Sequence, residues 1–247
     1  MEKKDNSDKI YFAEEGIVKR LKEFADPKSV EGMARFGIDP DRALGVKVPE
    51  MRRLAREIRK GVSADDRHRL AKKLWDRKIR ETMILAGMIA VPKNLTEELM
   101  EEWVGDFYDW ETCDQSCANL FEKTPFAYDK AVEWSRREEE FVKRAGYVMM
   151  ARLAVSDKKA DDEAFTRFFS DIKRGALDER NMVKKAVNWA IRQIGKRNPS
   201  LNERAVQLSL EIKEIDSPTA RWIAADALRE LTSDAVLDRL KKKEKVK

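Results

Sequence analysis

The 247-residue chain has one histidine and two cysteines, and each scarcity removes a class of chemistry. One histidine with no Cys/His cluster leaves no ligand set for zinc, and no metal or other cofactor is assigned. Every Ser-His or Cys-His nucleophile is also removed, except one built on His68. The charged Asp65-Asp66-Arg67-His68-Arg69 stretch predicts that this histidine lies on solvated surface. Cys113 and Cys117, four apart, share a helix face and cannot frame a disulfide scaffold, which fits a reducing, cytoplasmic compartment. The longest nearly unbroken apolar run, Met83 to Val91, falls far short of the roughly 20 residues a bilayer needs. The first nine residues have no apolar core, so no secretory signal is expected.

A charged fraction of 39% beside 42% hydrophobic describes a soluble globular protein, since a disordered chain lacks the apolar residues and a membrane protein lacks the charges. The net charge of +5 favours a polyanionic partner but has no weight until the charges are placed on elements.

Ten glycines, seven prolines and few β-branched runs leave apolar residues recurring at i, i+3, i+4 and i+7, which argues for helix almost throughout. Asp26-Pro27 caps a short helix closed by Gly37, and Val48-Pro49 opens the next, carrying Met51, Leu54, Ala55 and Ile58 to Gly61. Ser63 with Asp66 resembles a capping box. Apolar residues from Ile79 to Val91 predict a further helix, followed by one around Leu99, Trp103 and Phe107 and one from about Asp109 to Phe121. Segments beginning near Arg80, Asp114, Arg144, Lys185 and Trp222 share small and aliphatic residues and recur after 34, 30, 41 and 37 positions. Such periods fit helix pairs stacked as in HEAT or armadillo arrays. The fold expected is therefore an all-α solenoid, one domain over 1–240 with about six helix pairs, followed by a basic, frayed tail at 241–247. Its concave face would be a groove for an extended partner.

Three places carry polar residues on or beside apolar stripes. Trp110, Cys113, Asp114, Cys117 and Phe121 fall on one helix face, with Asp114 one turn after Trp110. A carboxylate there must be paired, hydrogen-bonded or lining a groove, so Asp114 is either a structural partner of a neighbouring helix or a site residue. Arg144 borders the stripe of Phe141, Ala145 and Val148 and suits either a salt bridge to Asp114 or a phosphate. Lys185, Trp189, Arg192 and Lys196 form a basic face around a tryptophan taken as exposed. That face is either a solvated surface or a platform for a polyanion with stackable bases.

These residues resemble the AlkD-like DNA alkylation repair glycosylases over nearly the whole chain. The resemblance is carried by Met33-Ala34-Arg35-Phe36, by Gly45-Val-Lys47-Val-Pro-Glu-Met-Arg52, by Leu74-Trp-Asp76 followed by Arg80-Glu81, and by Trp110-x-x-x-Asp114. Arg144 in Lys-Arg-Ala and Trp189 in Lys-Lys-Ala-x-x-Trp-x-x-Arg are similar to further family positions. Two departures stand out. Phe36 occupies a position where active relatives carry tyrosine, keeping the ring and losing the hydroxyl, and Asp39-Pro-Asp-Arg-Ala-Leu44 is inserted before Gly45.

The resemblance implies hydrolysis of the N-glycosidic bond of cationic alkylpurines, 3-methyladenine and 7-methylguanine, in duplex DNA by a monomeric, monofunctional enzyme. Asp114 would stabilise the oxocarbenium-like sugar and orient the water, and Trp110 and Trp189 would offer π faces to the cationic nucleotide. Arg144, Lys185 and Arg192 would grip phosphates, with Phe36 and Lys47 also meeting DNA. The basic surplus is then expected on the concave side, through Lys47, Arg144, Lys185 and Arg192. A non-catalytic HEAT-repeat protein that binds damaged or branched DNA, or a protein-binding scaffold, is the alternative reading.

Overall fold

The computed structural model describes residues 12–244. The opening nine residues considered as a signal, and residues 245–247 of the basic tail, lie outside them. The described residues are helical with short connections and contain no strand. They divide into two compact units after Thr124.

The first unit carries α1 (Glu14–Glu23), α2 (Pro27–Ala34), α3 (Val48–Gly61), α4 (Ala64–Asp76), α5 (Arg80–Ile89), α6 (Glu97–Gly105) and α7 (Trp110–Asn119). Helix starts follow local chemistry. The Asp26 carboxylate accepts the Lys28 N–H at 3.1 Å with Pro27 in the first turn, and the Thr96 hydroxyl accepts the Leu99 N–H at 3.2 Å. Ser63 caps α4 by accepting the Asp66 N–H, while its own hydroxyl donates to the Asp66 carboxylate, so the expected box closes side chain to side chain. Helix α4 packs on α5, and α3, α5 and α7 touch in succession. Trp75 and Trp103 are fully buried and stacked, with centroids 4.1 Å apart, and the Trp75 indole donates to Asp106 at 2.7 Å.

The expectation that His68 lies on solvated surface is overturned. It is buried on the α4 face that also carries Ala71 and Trp75, and its Nδ1 accepts the Val91 N–H at 3.4 Å. The i, i+3, i+7 spacing of 68, 71 and 75 was the signal; the charged neighbours occupy the other faces.

The second unit carries α8 (Ala127–Ser135), α9 (Glu140–Ser156), α10 (Glu163–Thr166), α11 (Phe169–Gly175), α12 (Asn181–Gly195), α13 (Pro199–Lys213), α14 (Pro218–Leu231) and α15 (Asp234–Glu244). Helices α9, α12 and α14 touch in succession, and α8 and α13 cover them. Gly146 brings α9 against α8, since a Cβ there would lie 2.3 Å from the Ser135 nitrogen. Between α12 and α14 a ladder repeats at a separation of 38 residues: Lys184 lies over the Trp222 ring at 4.9 Å, Asn188 donates to Asp226 at 2.7 Å, and Arg192 donates to Glu230 at 2.7 Å. Equal spacing along both helices means that they run side by side in register. The helices so aligned begin near the positions where the small-residue pattern recurs.

Candidate functional site

Helix α7 is started by Asp109, a fully buried N-cap whose Oδ1 accepts the N–H groups of Glu111 at 2.7 Å and Thr112 at 2.8 Å. Burial raises its pKa, against those two bonds and the pull of Arg80. Cys113 and Cys117 bury on the core side of α7, and Trp110 and Asp114 sit half-buried at the border of that stripe. Within the first unit, the Trp110 indole N–H donates to the Phe36 carbonyl at 3.0 Å. The Phe36 ring is 68% exposed on the turn after α2, where Gly37 takes a left-handed φ of 81°. The structure thus ties Trp110 to the backbone of Phe36 within the first unit, and Asp114 follows Trp110 by one turn of α7.

A network whose partners are distant in sequence braces this part of the first unit. Glu81, fully buried on α5, accepts the N–H groups of Leu44 (2.9 Å), Gly45 (2.9 Å) and Val46 (3.2 Å). Arg80 pairs with Glu81 at 2.7 Å and with Glu111 at 2.7 Å, so the loop before α3 and the first turn of α7 share one buried cation. Burial alone would lower the Arg80 pKa; the Glu111 and Glu81 carboxylates outweigh it and hold the pKa above the usual value. Gly45 has a φ of 78°, and a Cβ there would strike the Asp26 carbonyl at 2.3 Å. Arg80-Glu81 was visible as part of a motif, but its partners lie 31 to 37 residues away.

The Asp39–Leu44 segment joins the same network through the Leu44 N–H on Glu81. It forms a 3-10 turn, Pro40–Arg42, capped by Asp39. Arg42 lies over the Tyr108 ring at 4.8 Å, and the Tyr108 hydroxyl donates to the Arg42 carbonyl at 3.4 Å. Burial, and then Asp109, pushes the Tyr108 pKa up, so the phenol stays protonated. Lys47 is exposed at the N-cap of α3, just past the residues clamped by Glu81.

The other four candidates belong to the second unit. Arg144 is 6% exposed and donates to the Met182 carbonyl at 2.6 Å, tying α9 to the first turn of α12. Lys185 is exposed. Trp189, expected on an exposed basic face, is half-buried. Arg192, expected to meet phosphate, forms ion pairs with Glu230 at 2.7 Å and Asp226 at 3.5 Å, and Lys196 also pairs with Glu230 at 2.5 Å.

No curated protein matches the sequence significantly. One similar solved structure belongs to a new family of proteins related to the HEAT-like repeat DNA glycosylases with affinity for branched DNA structures; identity is 20%, with 89% of this chain and 96% of that one covered at a TM-score of 0.70. An engineered protein (12% identity, 83% and 98% covered) and a designed armadillo repeat protein (14%, 83% and 99%) each give a TM-score of 0.39. The all-helical fold is thus of the HEAT-like repeat type, as the recurring helices predicted. The family model of DNA alkylation repair enzymes matches residues 17–231, which include every candidate site residue, and the chain belongs to that family.

Proposed function

We propose that this family member is a DNA-alkylpurine glycosylase that hydrolyses the N-glycosidic bond of cationic 3-methyladenine and 7-methylguanine in duplex DNA. The observation that supports it is the placing of Asp114 one turn after Trp110, with the indole fixed to the Phe36 backbone at 3.0 Å. An alkylated cationic purine leaves as a neutral base, so the reaction needs no strong acid. It needs a negative charge where the sugar becomes oxocarbenium-like and a group that orients the attacking water. A carboxylate at Asp114 meets both needs: water adds to the sugar C1′, the base departs with the bonding electron pair, and a water proton is released. Trp110 offers a π face that attracts the cationic nucleotide, worth about 0.5–2 kcal/mol.

Release of 7-methylguanine from alkylated duplex DNA tests this reading. Asp114→Asn should keep the fold and DNA affinity and lose release; a variant that keeps wild-type release overturns the role of Asp114. A second reading, non-catalytic binding of branched DNA, is favoured by the affinity described for the similar structure and by Phe36 in place of a hydroxyl-bearing ring. Wild-type protein that binds a four-way junction tightly and releases no base would select it.

A further inference from the structure

The second unit contains a cavity of about 930 Å³ at the C-terminal ends of α9 and α12, away from Arg144 and Lys185 near their N-terminal ends. Its wall includes Lys158 and Lys159 from the loop after α9, Lys196 and Arg197 from the end of α12, and Arg239 from α15, against two carboxylates, Asp161 and Asp162.

The loop is held rigidly. Asp157 accepts the N–H groups of Lys159 and Ala160, both at 3.0 Å, and the Tyr128 hydroxyl at 3.0 Å. Arg197 donates to the carbonyls of Ala154 at 3.1 Å and Ala160 at 2.7 Å while lying 4.2 Å from the Phe165 ring centroid. Asn198 donates to Asp162 at 2.6 Å, and Asp161 accepts the Ala164 N–H at 2.9 Å. Both carboxylates in the wall therefore have an oxygen occupied within the fold. Lys196 is committed to Glu230. Lys158, Lys159 and Arg239 are exposed, and none forms a salt bridge among the described residues. A chain rich in carboxylates has left three cations without one around a single concavity, on a backbone ordered in advance of any ligand.

We propose that this cavity is a second DNA contact, in which Lys158, Lys159 and Arg239 hold phosphodiester groups of a strand beyond the one met at Lys185. The proposal rests on the DNA-directed reading above. Lys196, the C-cap of α12, lies eleven positions after Lys185, about 16 Å along the axis at 1.5 Å per residue. That span is on the scale of a duplex width, so a bent duplex or a second arm of a junction can reach both ends of the helix row. The wide opening admits a sugar-phosphate backbone and has no aromatic floor for a nucleobase, so the contact is independent of base sequence.

The test is a full-length Lys158→Gln/Lys159→Gln/Arg239→Gln variant, with affinity for a four-way DNA junction and a linear duplex measured across a salt series. Each phosphate contact contributes about 0.9 to the slope of log affinity against log salt. The junction slope should fall by about 2 to 3, with an unchanged melting temperature showing an intact fold. An unchanged slope on both DNAs overturns the proposal. Loss of binding to inorganic tripolyphosphate without any change on DNA also overturns it, assigning the cavity to a small anion. Base release at saturating protein should be unchanged in the variant. Failure of the glycosylase reading would appear separately, as wild-type protein that releases no base, and would leave the salt comparison readable.

Discussion

His68 is held neutral in the folded chain, because burial lowers its pKa, Lys72 reinforces the effect, and Nδ1 must stay unprotonated to accept the Val91 N–H. The unfolded chain titrates this group near the ordinary 6.5, so it takes up a proton that the native state refuses. The stability tied to neutral His68 is therefore complete above about 6.5 and is lost as pH falls toward the lowered native pKa. His68→Gln, which can offer an oxygen to the same N–H, should show a smaller drop in Tm between pH 7 and pH 5 than the parent chain. Asp109, with its raised pKa, works in the opposite direction, so the difference between the two proteins is the measure. Equal acid sensitivity in both would show that His68 exchanges protons with solvent in the native state.

At the scale of elements, α8 and α9 approach as closely as they do because residue 146 has no side chain. A Cβ there would meet the Ser135 nitrogen at 2.3 Å, the Ser135 Cα at 2.8 Å and the Ala131 carbonyl at 2.9 Å, all backbone atoms that cannot rotate away. Alanine gains about 1 kcal/mol of helix propensity, whereas forcing the helices apart costs about 1–3 kcal/mol. Gly146→Ala should therefore lower Tm, and a rise would show that α8 yields. That contact was not legible in the sequence, where the glycine reads only as a small residue in a repeating pattern. The starts of α2, α3 and α4 were more legible, since Asp26-Pro27, Pro49 and Ser63 act on the turn where each helix begins. The Trp110–Asp114 face was readable from its spacing of four. The Glu81 clamp was not, because its three N–H partners come from a loop more than 30 residues back and depend on the packing of α5.

Over the whole molecule, the excess of +5 counts for less than where neutralising carboxylates fall. Of the four cations expected to face DNA, Arg144 is buried against the Met182 carbonyl and Arg192 is paired with Glu230 and Asp226. Lys47 and Lys185 are exposed and form no salt bridge among the described residues. The two groups should separate by assay. Lys47→Gln/Lys185→Gln should flatten the salt dependence of duplex affinity by about 2, at about 0.9 per phosphate, and leave Tm unchanged. Arg192→Gln should do the reverse: it breaks the last rung of the α12–α14 ladder and leaves Glu230 and Asp226 short of a cation, so Tm falls while the salt slope stays. If Arg192→Gln flattened the slope as much as a lysine substitution, Arg192 would have to leave its carboxylates on binding, and DNA would compete directly with the contacts that align these helices.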